Sequence, residues 1–223
     1  MKPSLIVLEG LDGAGKSTQL ELLAARLALE RPVRKLKFPD YQDPSSALVR
    51  MYLGGEFGAN PEDTSAYAAS ILYAADRFAS YRRHWRQDYE NGTLLLSDRY
   101  TQANVIYQMP KLPHDEWKQY IDWLYDLEYN KMGIPRPDLV VLLDLDSALA
   151  ERQVMERYHG DASRRDIHER DYGFLRVCRE AALTAADYLG WKVVSCGGPD
   201  GLLSREEISA ALLEAVAPVL ARD

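Results

Sequence analysis

The stretch Leu5 to Thr18, LIVLEGLDGAGKST, restricts the fold more than any other part of the chain. An apolar run meets a glycine-rich turn, and Lys16-Ser17-Thr18 opens a helical pattern continued by Leu20, Leu23 and Leu27. Gly10, four intervening residues, Gly15, Lys16 and Ser17 satisfy G-x-x-x-x-G-K-[ST], in the strand-then-helix setting this phosphate-binding loop requires. Glycines let successive backbone N–H groups point at phosphate oxygens, and the following helix adds its positive end. The reading makes Gly10, Gly13, Ala14, Gly15, Lys16, Ser17 and Thr18 a triphosphate cradle, with Lys16 a mobile cation and the Ser17 hydroxyl a Mg²⁺ ligand.

The remainder of the chain repeats the alternation that this opening implies. Strand-like runs at Val33 to Phe38, Thr93 to Ser97, Leu139 to Leu143 and Trp191 to Ser195 are separated by helical patterns. Asn60-Pro61-Glu62-Asp63 announces a long helix, on which Tyr67, Ile71, Ala74, Phe78, Tyr81 and Trp85 form a stripe for the core or a subunit interface, and Asn91-Gly92 ends it. Trp117, Ile121, Leu124 and Leu127 share a face of a helix from Asp115 to Lys131. Ser147 opens another helix, Asp166 to Glu169 resembles a capping box, and Ser204 with Glu207 caps the last helix. Such alternation predicts a doubly wound parallel sheet with ligands at the carboxyl edge of its strands.

At 223 residues the chain has room for one α/β domain with a mobile insertion, spanning 1–223. Its net charge of −7 argues against long nucleic acids as partners. Cys178 and Cys196, isolated from each other, predict a reducing compartment, and the absence of a signal-like or membrane-spanning run predicts a cytoplasmic protein.

Among proteins with this loop, a guanine reader would need N-K-x-D, and Asn130-Lys131-Met132-Gly133 lacks the final carboxylate. A motor would need more chain. A small-molecule kinase remains, and the basic segment at about 156–170 is its expected lid. Arg152, Arg157, Arg164, Arg165 and Arg170 are the candidate phosphate-binding arginines, two or three of them expected to touch phosphate, because phosphoryl transfer depends on positioning and charge neutralisation.

Several blocks, in order along most of the chain, resemble the thymidylate kinase family. They are Gly10 to Thr18, Phe38-Pro39-Asp40-Tyr41, Tyr52-Leu53-x-Gly55-Glu56-Phe57-Gly58, Ala75-Asp76-Arg77, Asp98-Arg99-Tyr100 with Asn104 and Tyr107-Gln108, and Asp166-Ile167-His168-Glu169. The resemblance implies a three-layer P-loop fold of the nucleoside monophosphate kinase type, with a five-stranded parallel sheet. It also implies transfer of the γ-phosphoryl group of ATP to dTMP, and a homodimer. Phe38 would stack on thymine, Arg77 would bond its exocyclic oxygen, and Asn104 would read the base edge, with Gln108 beside it. Tyr107 would exclude a 2′-hydroxyl, and Asp12 would meet the 3′-hydroxyl or the metal shell. Arg99 and Tyr41 would hold the acceptor phosphate, Asp98 would sit near Mg²⁺, and Glu169 near the acceptor. Two departures bear on subtype. Gly13 stands where some members carry an arginine, which leaves catalysis to the lid, and Asp40 stands where others carry one, which shifts load to Arg99.

A phosphate monoester is mostly dianionic at neutral pH, so no general base is required. A deoxynucleoside kinase, the alternative enzyme, would need a carboxylate base, for which Asp12 and Asp98 are the candidates. A non-catalytic nucleotide-binding regulator is the alternative outside enzymes. It would leave the acceptor-side blocks without a purpose.

Overall fold

A computed structural model of the chain describes residues 4–157, 172–198 and 201–221. The apolar opening forms β1 (Ser4–Glu9), every residue of which is buried. It is central: the five-stranded sheet runs β2-β3-β1-β4-β5, with β2 at Val33–Lys37, β3 at Leu94–Asp98, β4 at Leu139–Asp144 and β5 at Lys192–Ser195, and all its pairings are parallel. Burial on both faces explains the apolar runs Leu5 to Leu8 in β1 and Leu94 to Leu96 in β3. The edge strands β2 and β5 are partly exposed and alternate with Lys and Arg or Ser.

Parallel register brings the chemistry to one edge. Leu8 and Lys37 both lie opposite Asp98, and Glu9 lies opposite Leu142. The loop after β1 leads into α1 (Lys16–Leu27), whose Leu20, Leu23, Ala24 and Leu27 are buried. Gly10 and Gly13 have φ of 148° and 91°, and an added Cβ would come 2.5 Å from the carbonyl oxygens of Leu143 and Ala150 respectively. A side chain at position 13, an arginine included, has no room on this backbone.

The other helices depart from the sequence expectation in instructive ways. Asn60 and Asp63 do form a reciprocal cap, but around the single turn Pro61–Asp63. Thr64 is extended, and Ser65 then caps the real helix. After the short helix α2 (Ala47–Leu53) comes α3 (Ala66–Ser80), which passes through a π-helical turn at Tyr81–Trp85 into α4 (Arg86–Glu90). The aromatic stripe therefore does not stay on one face: Ala74, Tyr81 and Trp85 are in the core, while Ile71 and Phe78 are 51% and 37% exposed. The inward face of α3 instead carries Ala66, Ala69, Ser70, Asp76, Arg77 and Ser80.

Helix α5 (Gln102–Tyr107) follows β3, and α6 (Trp117–Tyr125) runs into a π-helical turn at Asp126–Lys131. Trp117, Ile121 and Leu124 are buried as expected, but the next buried residues are Glu128 and Tyr129, with Leu127 only half-buried. Helices α7 (Ser147–Arg157) and α8 (Tyr172–Leu189) flank the segment expected as the lid. The lid candidates Arg164, Arg165 and Arg170, and Glu169, expected near the acceptor, lie outside the described residues, as does the box at Asp166. After β5, a small hairpin that the sequence did not announce pairs Gly197–Gly198 (β6) with Gly201–Leu202 (β7). Ser204 and Glu207 form the expected box at the start of α9 (Arg205–Leu220).

Candidate active site

The phosphate loop holds its own lysine. Lys16 Nζ donates to the carbonyls of Gly10 at 2.9 Å and Leu11 at 2.8 Å, and lies 3.9 Å from Asp12. Burial and the neighbouring Arg99 charge bring its pKa down to about 8, against the pull of Asp12, Asp98 and Glu9. Helix α1 has no acidic side chain in its first turn, so its positive end is uncompensated. Ser17 Oγ donates to Asp98 Oδ2 at 2.6 Å, and Lys37 Nζ stands 3.9 Å from the same oxygen.

Arg99 links this loop to the end of β3 and to α5. Its Nη2 donates to Asp12 Oδ1 at 2.5 Å and to the Tyr107 hydroxyl at 3.2 Å, while Tyr107 donates to Asp12 Oδ2 at 3.0 Å. The guanidinium also sits over the Tyr107 ring, 4.8 Å from its centroid. Burial alone would raise the Asp12 pKa, but the charges of Arg99 and Lys16 and these hydrogen bonds hold it well below the usual carboxylate range. Lys16, Asp12, Ser17, Asp98, Arg99 and Tyr107, read from separate parts of the sequence, therefore form one cluster.

The base-side candidates are more deeply set. Phe38, buried and joined to Pro39 by a cis bond, packs its ring 5.8 Å from that of Tyr100. On its other flank it lines a cavity of about 390 Å³ between β2 and the end of α3, with Trp85, His84 and Ser80. Arg77 is 1% exposed and is not a free probe: Nε and Nη2 donate to both oxygens of Glu128, at 2.7 and 2.6 Å, and Nη1 donates to the Tyr100 carbonyl at 3.3 Å. Asn104 donates to the Ser70 carbonyl at 3.3 Å, and Gln108 accepts from Tyr52 at 3.4 Å. Tyr41 is 48% exposed at the turn after Phe38. Asp40 faces α3, its N–H donating to Asp76 at 2.9 Å and its carboxylate accepting from Ser80 at 3.2 Å. Arg152 is exposed on α7, and Arg157 closes that helix.

Three carboxylates escaped the sequence reading as functional residues. Glu128 also accepts from Thr101 at 3.0 Å, and its spacing from Ile121 and Leu124 was the available signal. Asp76 pins the acceptor loop, also accepting from Ser45 Oγ at 2.6 Å. Glu9, read only as the end of an apolar run, is completely buried and accepts the Tyr100 N–H at 2.9 Å. Burial pushes its carboxyl up to about 7, against the lowering influence of Arg99, the Tyr100 amide and Lys16.

Comparison with known proteins bears on the same residues. The family model described as thymidylate kinase matches residues 8–201. A probable thymidylate kinase of Pyrobaculum aerophilum is 28% identical over 97% of this chain and 98% of its own length. The thymidylate kinase of Mycobacterium tuberculosis is 34% identical over 75% of this chain and 78% of its own. The solved thymidylate kinase of Candida albicans superposes with a TM-score of 0.73 at 27% identity, covering 100% of this chain and 94% of that one. Sequence and backbone agree over the same stretch, from the last strand residues before the phosphate loop to the final hairpin, and on that ground the chain belongs to the thymidylate kinase family of nucleoside monophosphate kinases.

Proposed function

We propose that the chain transfers the γ-phosphoryl group of ATP to dTMP, giving dTDP and ADP. The observation that carries the reading is the continuity of the cluster: Asp12 of the phosphate loop, Arg99 at the end of β3 and Tyr107 of α5 share hydrogen bonds within reach of Lys16. A donor cradle and an acceptor-side arginine thus meet in one cleft. Two polyanions repel each other, and the protein's work is to hold them in line with fixed positive charge. Lys16 and the loop amides take the donor phosphates, Arg99 takes the acceptor phosphate, and lid arginines enclose the transferred group. Phe38, Arg77 and Asn104 hold the base, with Tyr107 against the sugar.

Ser17 and Asp98 fit a magnesium ion, since a hydroxyl and a carboxylate 2.6 Å apart are hard oxygen donors of the kind that ion takes alongside phosphate and water. The ion, when bound, neutralises phosphate charge. Asp12 is disfavoured as the base a nucleoside acceptor would need, because both its oxygens are engaged and its pKa is held well below the usual carboxylate range.

The exposed Ile71 and Phe78 on α3, with Leu48 on α2, support a second copy of the chain as partner. Cys178 and Cys196, both buried and neither in a disulfide, support a reducing, cytoplasmic location. Among the described residues no helix is long and apolar enough to cross a membrane.

An ADP-release assay with ATP, Mg²⁺ and each deoxynucleoside or deoxynucleoside monophosphate tests the proposal. Fastest release is expected with dTMP. Faster release with thymidine, or no stimulation by any acceptor, contradicts it.

A further inference from the structure

Arg99 is the one non-glycine residue with a left-handed backbone among the described residues, at φ 69°. A side chain with a Cβ is disfavoured there, and such residues persist only where their surroundings over-determine them. Arg99 is anchored at three points. Its N–H donates to the Leu8 carbonyl at 3.1 Å, its own carbonyl accepts the Ser97 hydroxyl at 2.6 Å, and the next amide, Tyr100 N–H, donates to Glu9 Oε1 at 2.9 Å. Two of the three anchors belong to β1, directly before Gly10. Glu9 is completely buried, and its Oε2 has no hydrogen-bond partner among the described residues. A carboxyl held this way is unfavourable for stability compared with another leucine in an apolar strand. What the carboxyl does provide is an acceptor for the Tyr100 amide.

We propose that Glu9 is a positioning residue for the reaction. By holding the Tyr100 amide it keeps Arg99 in its left-handed turn, with the guanidinium aimed at Asp12. Because Glu9 directly precedes the phosphate loop, the same strand end sets where the donor cradle begins and where the acceptor-side arginine points. The inference rests on the reading of Arg99 as the contact for the acceptor phosphate. Ser97 supports the same turn from β3.

Glu9→Leu and Glu9→Gln, examined by crystallography and steady-state kinetics, test it. Leucine fills the volume without an acceptor, whereas glutamine keeps an oxygen for Tyr100 N–H. In Glu9→Leu, Arg99 is expected to leave the left-handed region and lose its contact with Asp12. The KM for dTMP should rise about tenfold, the scale of one lost hydrogen bond in a buried setting, while the KM for ATP stays within about twofold. Glutamine should restore the turn and both constants. An Arg99 that remains left-handed on Asp12 in Glu9→Leu, or an equal rise in both KM values, overturns the inference. If Glu9→Leu does not fold, Glu9→Ala is read by the same criteria. The backbone angle is measured without substrate, so a wild-type enzyme that ignores dTMP would defeat the proposed reaction and leave the positioning result readable.

Discussion

The donor loop and the acceptor wall meet at Arg99 but are built in opposite ways. The loop is closed by contacts between near neighbours: Lys16 reaches back six positions to Gly10 and five to Leu11, and glycine backbones make the curl. The acceptor wall is held by pairs far apart in sequence, with Arg77 on Glu128 across 51 positions and Arg99 on Asp12 across 87. Charge is also handled differently. The loop holds its lysine on the backbone carbonyls of Gly10 and Leu11, with Asp12 3.9 Å away. The wall buries its arginine in a bidentate ion pair with Glu128. A region that must change partners is built from weak, exchangeable contacts, and a region that must present a fixed pattern is built from locked ones.

The largest expected effect breaks the wall. Glu128→Ala leaves the Arg77 charge buried without its partner and should cost about 3–5 kcal/mol, lowering the melting temperature by roughly 10 °C. Replacing both residues by Met should recover most of the stability and still lose acceptor use, which separates the structural from the recognition role. Thermal melts alongside dTMP kinetics check both. Next comes the loop: Lys16→Ala should leave the fold intact and reduce turnover at least ~10²–10³-fold. Wild-type rates would remove Lys16 from the donor site.

Between the two regions stands Glu9. Its pKa of about 7 in the folded chain lies above the ordinary glutamate value of 4.5. Between those values the folded state holds a proton that the unfolded chain releases, so the unfolded state binds fewer protons. The Glu9 contribution therefore lowers unfolding free energy as pH rises from 4.5 to 7, by at most about 3 kcal/mol. Denaturant titrations of wild type and Glu9→Gln across that window should show the difference between them change in this direction. A difference that does not vary with pH would contradict the burial argument. The smallest effect concerns the sugar. Tyr107→Ala should reduce preference for dTMP over its ribose counterpart by about tenfold, and unchanged preference would take Tyr107 out of that role.

The contrast in construction also explains what could be read before the fold was known. Gly10 to Thr18 is contiguous, so its geometry follows from residue types at fixed spacing, and α1 begins at Lys16 as that spacing requires. The parallel sheet was legible because its inner strands carry apolar runs at Leu5 to Leu8, Leu94 to Leu96 and Leu139 to Leu143. Arg77 and Asn104 were visible as motif members, but neither the Glu128 pairing nor the Ser70 contact could be seen, because both depend on how α3 is rotated. That rotation is set by the Ser65 cap and by the π-helical turn at Tyr81–Trp85, features that a 3.6-residue period does not encode. Glu9 was hidden for a related reason: a carboxylate ending an apolar run reads as a boundary until the amide it accepts is known.

The most direct test of the account is a crystal structure with dTMP and a non-hydrolysable ATP analogue bound together. The account predicts the terminal donor phosphate on Lys16 and the dTMP phosphate within hydrogen-bond reach of Arg99, on the same side of the cleft as Asp98. Thymidylate bound elsewhere, with Arg99 untouched on Asp12, would contradict it.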